Sequence, residues 1–268
     1  MIVCRSAKEI QQLRAANALV AEVLRELQSM VAPGVTTQQL DAAAEALVEA
    51  AGARPAFKGF HGFPATICAS VNHEVVHGIP SDQALKDGDI ISIDMGVVLD
   101  GYYGDSAVTV GVGRVPEEAS TLMTVTREAL ERAIELVRID GRVSDLGHAV
   151  QTHVEAHGFS IVKEFVGHGI GTELHEEPQI PNYGEPGRGP RLREGMVLAI
   201  EPMVNAGLPG VRVLDDGWTA VTRDGSLSAH FEHSVAVTSS GPEVLSRCDA
   251  TTSGVGVGAV LEGRRSRG

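Results

Sequence analysis

Asp94, Asp105, His168, Glu201 and Glu232 each stand in a short stretch that suits a metal ligand, and they read in the order D-D-H-E-E. Four carboxylates and one imidazole are a donor set for a pair of divalent cations of hard to borderline character. In IISIDMGVV, Ile91, Ile93 and Met95 fall on one side of an alternating strand, with Ser92 and Asp94 on the other. Asp100-Gly101 predicts a two-residue hairpin turn. With that turn Asp94 faces Ala107, and Asp105 shares its face on the diagonal, roughly 7–8 Å away at Cα. Two like charges that close repel unless a cation or a proton sits between them. Glu201 in MVLAIEPMV and Glu232 in SAHFEHSVAV are likewise single acids in apolar runs, Pro202 holding Glu201 extended. From residue chemistry alone, a metal site and unrelated strand-borne acids both stay open.

Other groups invite weaker readings. His168 in VGHGIG has glycines on both sides, so a ligand can approach its backbone closely, but the third-glycine spacing of a dinucleotide loop is missing and no helix pattern follows. His153 and His157 lie on a helical pattern ending at Gly158 without the H-E-x-x-H order, which reads as a solvated helix face. His77 in VVHGIP and His175 in LHEEP are loop histidines for which surface and active-site roles are equally open. Cys68 reads as a small buried hydrophobe, because no paired histidine can be inferred.

The elements that must position these groups are legible as periodicities. Residues 7–31 carry Ile10, Leu13, Val20, Leu24 and Leu27 at helical spacing up to Pro33-Gly34. A second helix runs from Thr36-Thr37 through Leu40, Ala44 and Leu47 to Gly52, a suitable C′ glycine. A Gly/Pro-rich loop and a β-prone run over 66–71 follow, then the hairpin. The plan repeats with helices over about 117–138 and 144–158 and strands to Val237. Two units of helix, helix and strands predict an α+β, pseudo-twofold, curved antiparallel sheet covered by helices. Residues 1–240 are expected to form one domain, and 241–268, with TTSGVGVG and LEGRRSRG, a disordered tail.

The composition narrows the class. A chain of 268 residues with 43% hydrophobic content can build a sizeable core. Its apolar stretches break well before the ~18–20 residues of a membrane span, and MIVCRSAKEIQQLR does not read as a signal peptide, so a cytoplasmic location without membrane association is expected. Three scattered cysteines exclude a disulfide framework and a thiolate zinc site. A net charge of −13 argues against a surface built for nucleic acid.

The strings IISIDMGVVLDGYYGDSAV, VGHGIGTELHEEPQIPNYG, GMVLAIEPMVNAG and GSLSAHFEHSVAV together resemble the type I, bacterial-type methionine aminopeptidases of the pita-bread fold, over roughly residues 3–240. The resemblance implies two divalent cations (Co, Mn, Fe or Zn). Asp94 and Asp105 would hold one and His168, Glu201 and Glu232 would complete the other, Asp105 and Glu232 bridging. It implies that Glu201 shuttles a proton, that His175 donates to the developing oxyanion, that His77 holds the peptide, and that His61 lies near the pocket. A methionine pocket of Phe60, Phe63, Cys68 and Trp218 follows, departing from relatives at Phe57 and Leu174. The short spacings from His168 to Glu201 and on to Glu232 leave no room for the type II insertion. The implied partners are N-terminal methionyl peptides and nascent chains near the ribosome, the enzyme acting as a monomer and removing the initiator methionine before a small second residue. A proline-directed peptidase of the same fold and a non-catalytic binding protein are the rivals, disfavoured by the Trp218 and HGFP features and by the intact ligand set respectively.

Overall fold

The computed structural model describes residues 1–247. Helix α1, Ala7–Met30, starts at a capping box in which Ser6 and Glu9 satisfy each other's backbone donors. It buries Leu13, Ala16, Asn17, Val20, Leu24 and Leu27 as one stripe. Helix α2, Thr37–Ala50, opens on the same device, formed by Thr36 and Gln39. Helices α3, Glu117–Glu135, and α4, Val143–Ala156, repeat the pair in the second half.

Among the described residues the main sheet has nine strands. Along it run 54–55, 90–99, 102–111, 232–238, 197–200, 167–169 and 176–180, with 67–71 also on 90–99 and 241–244 also on 232–238. Neighbours pair antiparallel. The two halves join where Glu232 pairs with Ala107 and His233 with Ser106. On the first half α1 and α2 cover Ile67, Ile91, Ile93 and Met95, and on the second α3 and α4 cover Leu198, Ile200, Val235 and Val237. Each set removes a contiguous apolar surface from water, the main favourable contribution to folding. Helix α1 approaches 102–111 so closely that a Cβ on Gly104 would lie 2.7 Å from the Ala16 carbonyl carbon, so only glycine fits there.

The hairpin has the expected register. Asp100 and Gly101 both take positive φ, 51° and 85°, as a tight two-residue turn requires, and Asp94 faces Ala107. Two expectations are corrected. The proposed boundary at residue 240 falls inside a hairpin, because Gly241–Val244 pairs with 235–238 and Leu245 and Ser246 are buried. The rest of the expected tail, 248–268, lies outside the described residues. His153 is not on a solvated face: it is buried between α4 and α3, its Nε2 3.1 Å from Glu128 Oε2. Among the described residues, no helix is long and apolar enough to cross a membrane.

Candidate active site

The acids converge because the sheet places them in register. Cys68, Asp94, Ala107 and Glu232 form one row across four strands, so their side chains share a face. The small Ala107 stands between Asp94 and Glu232 in that row. Asp105, two residues before Ala107, lies on the same face. Its backbone N–H donates to Asn17 Oδ1 at 3.2 Å, while Asn17 Nδ2 donates to Leu13 O, so α1 fixes the strand at the acid. From the second half, His168 pairs with Ala199 and Glu201 follows the same strand, Asn182 Nδ2 donating to its carbonyl at 2.9 Å.

One ligand atom each from Asp105, His168 and Glu232 lies within 4.8 Å of the others. His168 Nε2 is 3.4 Å from Glu201 Oε1 and 4.0 Å from Asp105 Oδ2. Its Nδ1 stands 3.0 Å from Gly169 O, and a carbonyl only accepts, so Nδ1 carries the proton and Nε2 offers a lone pair. Asp94 Oδ1, Asp105 Oδ1 and Glu232 Oε1 are buried without a hydrogen-bond partner. Buried carboxylate oxygens without donors are costly unless a cation meets them, so this donor set fits divalent metal.

Electrostatics agree. Burial, reinforced by the neighbouring carboxylates, raises Asp105, Glu201 and Glu232 well above the carboxylate range, and burial raises Asp94 to about 7. The four acids cannot all ionise together without a compensating positive charge. Burial and nearby His175 push His168 down to about 3, so its imidazole is neutral, as a ligand must be.

Beside the acids is a cavity of about 130 Å³. Phe57, Phe60, Phe63, Cys68, Leu174 and Trp218 form its apolar wall, with His77 and His175 beside them. That volume is well below the roughly 300–1,000 Å³ of drug-sized ligand sites and suits a single side chain. Trp218 packs edge-on to Phe63, centroids 5.2 Å apart. Its position is set by Asp216 Oδ1, which accepts from the backbone N–H of both Trp218 and Thr219. Burial raises the Cys68 thiol well above its usual range, which removes it as a nucleophile. A larger cleft of about 720 Å³ shares His77, Asp94, His168, His175 and Glu201 with the cavity and continues past Phe165 and Gln179. His77 takes a positive φ of 61° and stands edge-on to Phe165; burial and His175 push it down to about 4.

All five expected ligands and the four expected pocket residues therefore line one cavity. His61 does not line it; it is exposed, 4.4 Å from the Phe60 ring centroid. Phe57 and Leu174, the two positions that depart from relatives, complete the wall. Sequence reasoning missed His230, which is fully buried and brings Nε2 to 3.8 Å from Glu201 Oε2. The signal for His230 was its place two residues before Glu232 in the same apolar run.

The profile of metallopeptidase family M24 matches residues 11–239. The chain belongs to metallopeptidase family M24. This M24 chain is a metal-dependent hydrolase. It is 52% identical over 245 residues to the methionine aminopeptidase of Clostridium perfringens, covering 91% of this chain and 98% of that protein. To methionine aminopeptidase 1 of Bacillus subtilis it is 51% identical, covering 92% of this chain and 100% of that protein. The crystal structure of methionine aminopeptidase from Thermotoga maritima superposes with a TM-score of 0.91 at 46% identity, over 92% of this chain and 100% of that one. The prolidase of Pyrococcus furiosus, at 24% identity and a TM-score of 0.73, covers 92% of this chain and 66% of that one and shares the fold alone. The α+β pita-bread fold of the M24 family is thus the fold of this chain.

Proposed function

We propose that this chain is a type I methionyl aminopeptidase that removes the initiator methionine from nascent proteins and peptides, preferring a small second residue. The observation that carries the reading is the single-side-chain cavity of Phe57, Phe60, Phe63, Cys68, Leu174 and Trp218 lying against unpartnered buried carboxylate oxygens. Near-identity in length to relatives named methionine aminopeptidase supports it.

Asp94, Asp105, His168, Glu201 and Glu232 would hold two divalent cations, with Co, Mn, Fe and Zn all compatible with mixed imidazole and carboxylate donors. When bound, such ions acidify water and draw electron density from the scissile carbonyl. The side chains do the rest. Glu201 takes the proton of the attacking water and passes it to the leaving amide nitrogen. His175, a neutral imidazole whose protonation is disfavoured by burial and by His61, donates to the oxygen that becomes negative. His77, neutral and beside the larger cleft, holds the peptide beyond the cleaved bond. The apolar wall excludes water from the first side chain and selects an unbranched thioether. His61 contributes from the rim beside Phe60. The catalytic unit would run from residue 1 through the strand that ends at Val244, acting as a monomer in the cytoplasm on chains emerging at the ribosome.

Hydrolysis of Met-Ala, Leu-Ala and Ala-Pro peptides after metal stripping and restoration tests the reading. Metal-dependent cleavage confined to the methionyl peptide is expected; preferential cleavage before proline would overturn it.

A further inference from the structure

Arg5 lies before α1, remote in sequence from every ligand, yet its side chain is only 6% exposed. Its Nη2 donates to Glu176 Oε2 at 2.6 Å and also contacts Oε1. The Glu176 side chain is 11% exposed. Glu176 Oε1 accepts from the backbone N–H of Thr172 at 2.9 Å and of Glu173 at 3.2 Å. Thr172 and Glu173 begin the turn that ends at Leu174 and His175. The backbone around Arg5 is equally fixed: its N–H donates to Gly195 O at 2.7 Å. A Cβ on Gly171 would fall 2.0 Å from Nη2 and one on Gly195 2.5 Å from Arg5 O, so both glycines make room for Arg5. Gly171 O in turn accepts from Tyr103 N–H, two residues ahead of Asp105.

We propose that Arg5 is a positioning residue for the reaction: its ion pair with Glu176 holds the 172–175 turn in the conformation that sets His175 beside the cavity. The kinetic part of this proposal rests on the role given to His175 above. The physical argument is one of satisfaction. The turn lies between strand ends, and two of its amides find their acceptor in one carboxylate rather than in a neighbouring strand. A carboxylate so withdrawn from water needs a cation beside it, and the planar guanidinium can reach both of its oxygens. Glu9 Oε1, 3.6 Å from Arg5 Nη1 at the helix cap, is a weaker second contact. Without the guanidinium the carboxylate turns toward water and frees both amides, and His175, next to Glu176 in the chain, shifts with it.

The test is Arg5→Met in the full-length, metal-loaded enzyme. Amide exchange followed by NMR should quicken at Thr172 and Glu173 while metal content and KM for a methionyl peptide stay near parental. A misplacement of about an ångström at a catalytic group costs on the order of 10²-fold, so kcat should fall by that order. In a His175→Ala background the same substitution should cost no further kcat. Glu176→Gln, which removes the charge but keeps an oxygen for the amides, should quicken exchange at the same two positions and serves if Arg5→Met does not fold. Unchanged exchange at Thr172 and Glu173 in a folded variant overturns the proposal, as does an equal kcat loss in the His175→Ala background. Should His175→Ala by itself keep full kcat, the role given to His175 falls, and the exchange measurement still decides whether Arg5 holds the turn.

Discussion

The imidazole of His175 stands edge-on to that of His168, with ring centroids 4.4 Å apart and planes at 82°. The hydrogen bond of His168 from Nδ1 to Gly169 O leaves its Nε2 toward the acids. A neutral carbonyl accepts a weaker hydrogen bond than the oxyanion that follows, so the donor role proposed for His175 would act in the transition state. His175→Ala should lose on the order of 10²–10³ in kcat with metal content and KM nearly unchanged. Steady-state kinetics with an intact kcat and a raised KM would make His175 a binding residue.

Asp105→Ala and Glu232→Ala each remove a carboxylate from the group that lies within 4.8 Å. Elemental analysis after dialysis should find bound metal reduced below that of the parent in both, with hydrolysis lost in parallel. Two tightly held ions in either variant would sink the ligand assignment.

Stability of the metal-free protein should depend on pH in a stated direction. Raised native values for Asp94, at about 7, and for Asp105, Glu201 and Glu232 mean that the folded chain holds more protons than the unfolded one. Their contribution is full below the ordinary carboxylate range and is lost as pH rises. His77, His168, His230 and His233, all pushed down to about 3 or 4, act oppositely at lower pH. Above roughly pH 7.5 those histidines are largely neutral in both states, which leaves the carboxyls to decide. Thermal unfolding of chelator-treated protein between about pH 7.5 and pH 9 should therefore show a falling Tm, and added Mn or Co should flatten the curve. A rising Tm in the metal-free protein would contradict the burial of the acids.

Trp218→Ala opens the wall against Phe63. Discrimination of methionyl over leucyl peptides should weaken by about 1–3 kcal/mol, the scale at which apolar pockets separate near-isosteres. KM for the methionyl peptide should rise. A selectivity ratio equal to that of the parent would place Trp218 outside the recognition surface.

Local chemistry made much of this site readable. The Asp100-Gly101 turn dictated the hairpin register, and with it the meeting of Asp94 and Asp105 on one face. Capping residues and apolar spacing located the four helices to within a few residues. Periodicity says which positions share a face and not what covers it, which is why His153 was misassigned to solvent. The strand Gly241–Val244 was hidden because its partner supplies the ladder, and its own Gly and Pro disfavour an extended run. That His168 and Glu201 reach the hairpin acids is a long-range fact of the sheet, carried in the sequence only by likeness to relatives.

The proposed ligands come from both halves of the chain, Asp94 and Asp105 from the first hairpin and His168, Glu201 and Glu232 from segments more than sixty residues later. An unfinished copy leaving the ribosome thus carries two acids and nothing for them to close upon. The proposed metal site is complete only when Glu232 stands beside Ala107 across the two halves, so a chain that has not made that pairing lacks one of its donors.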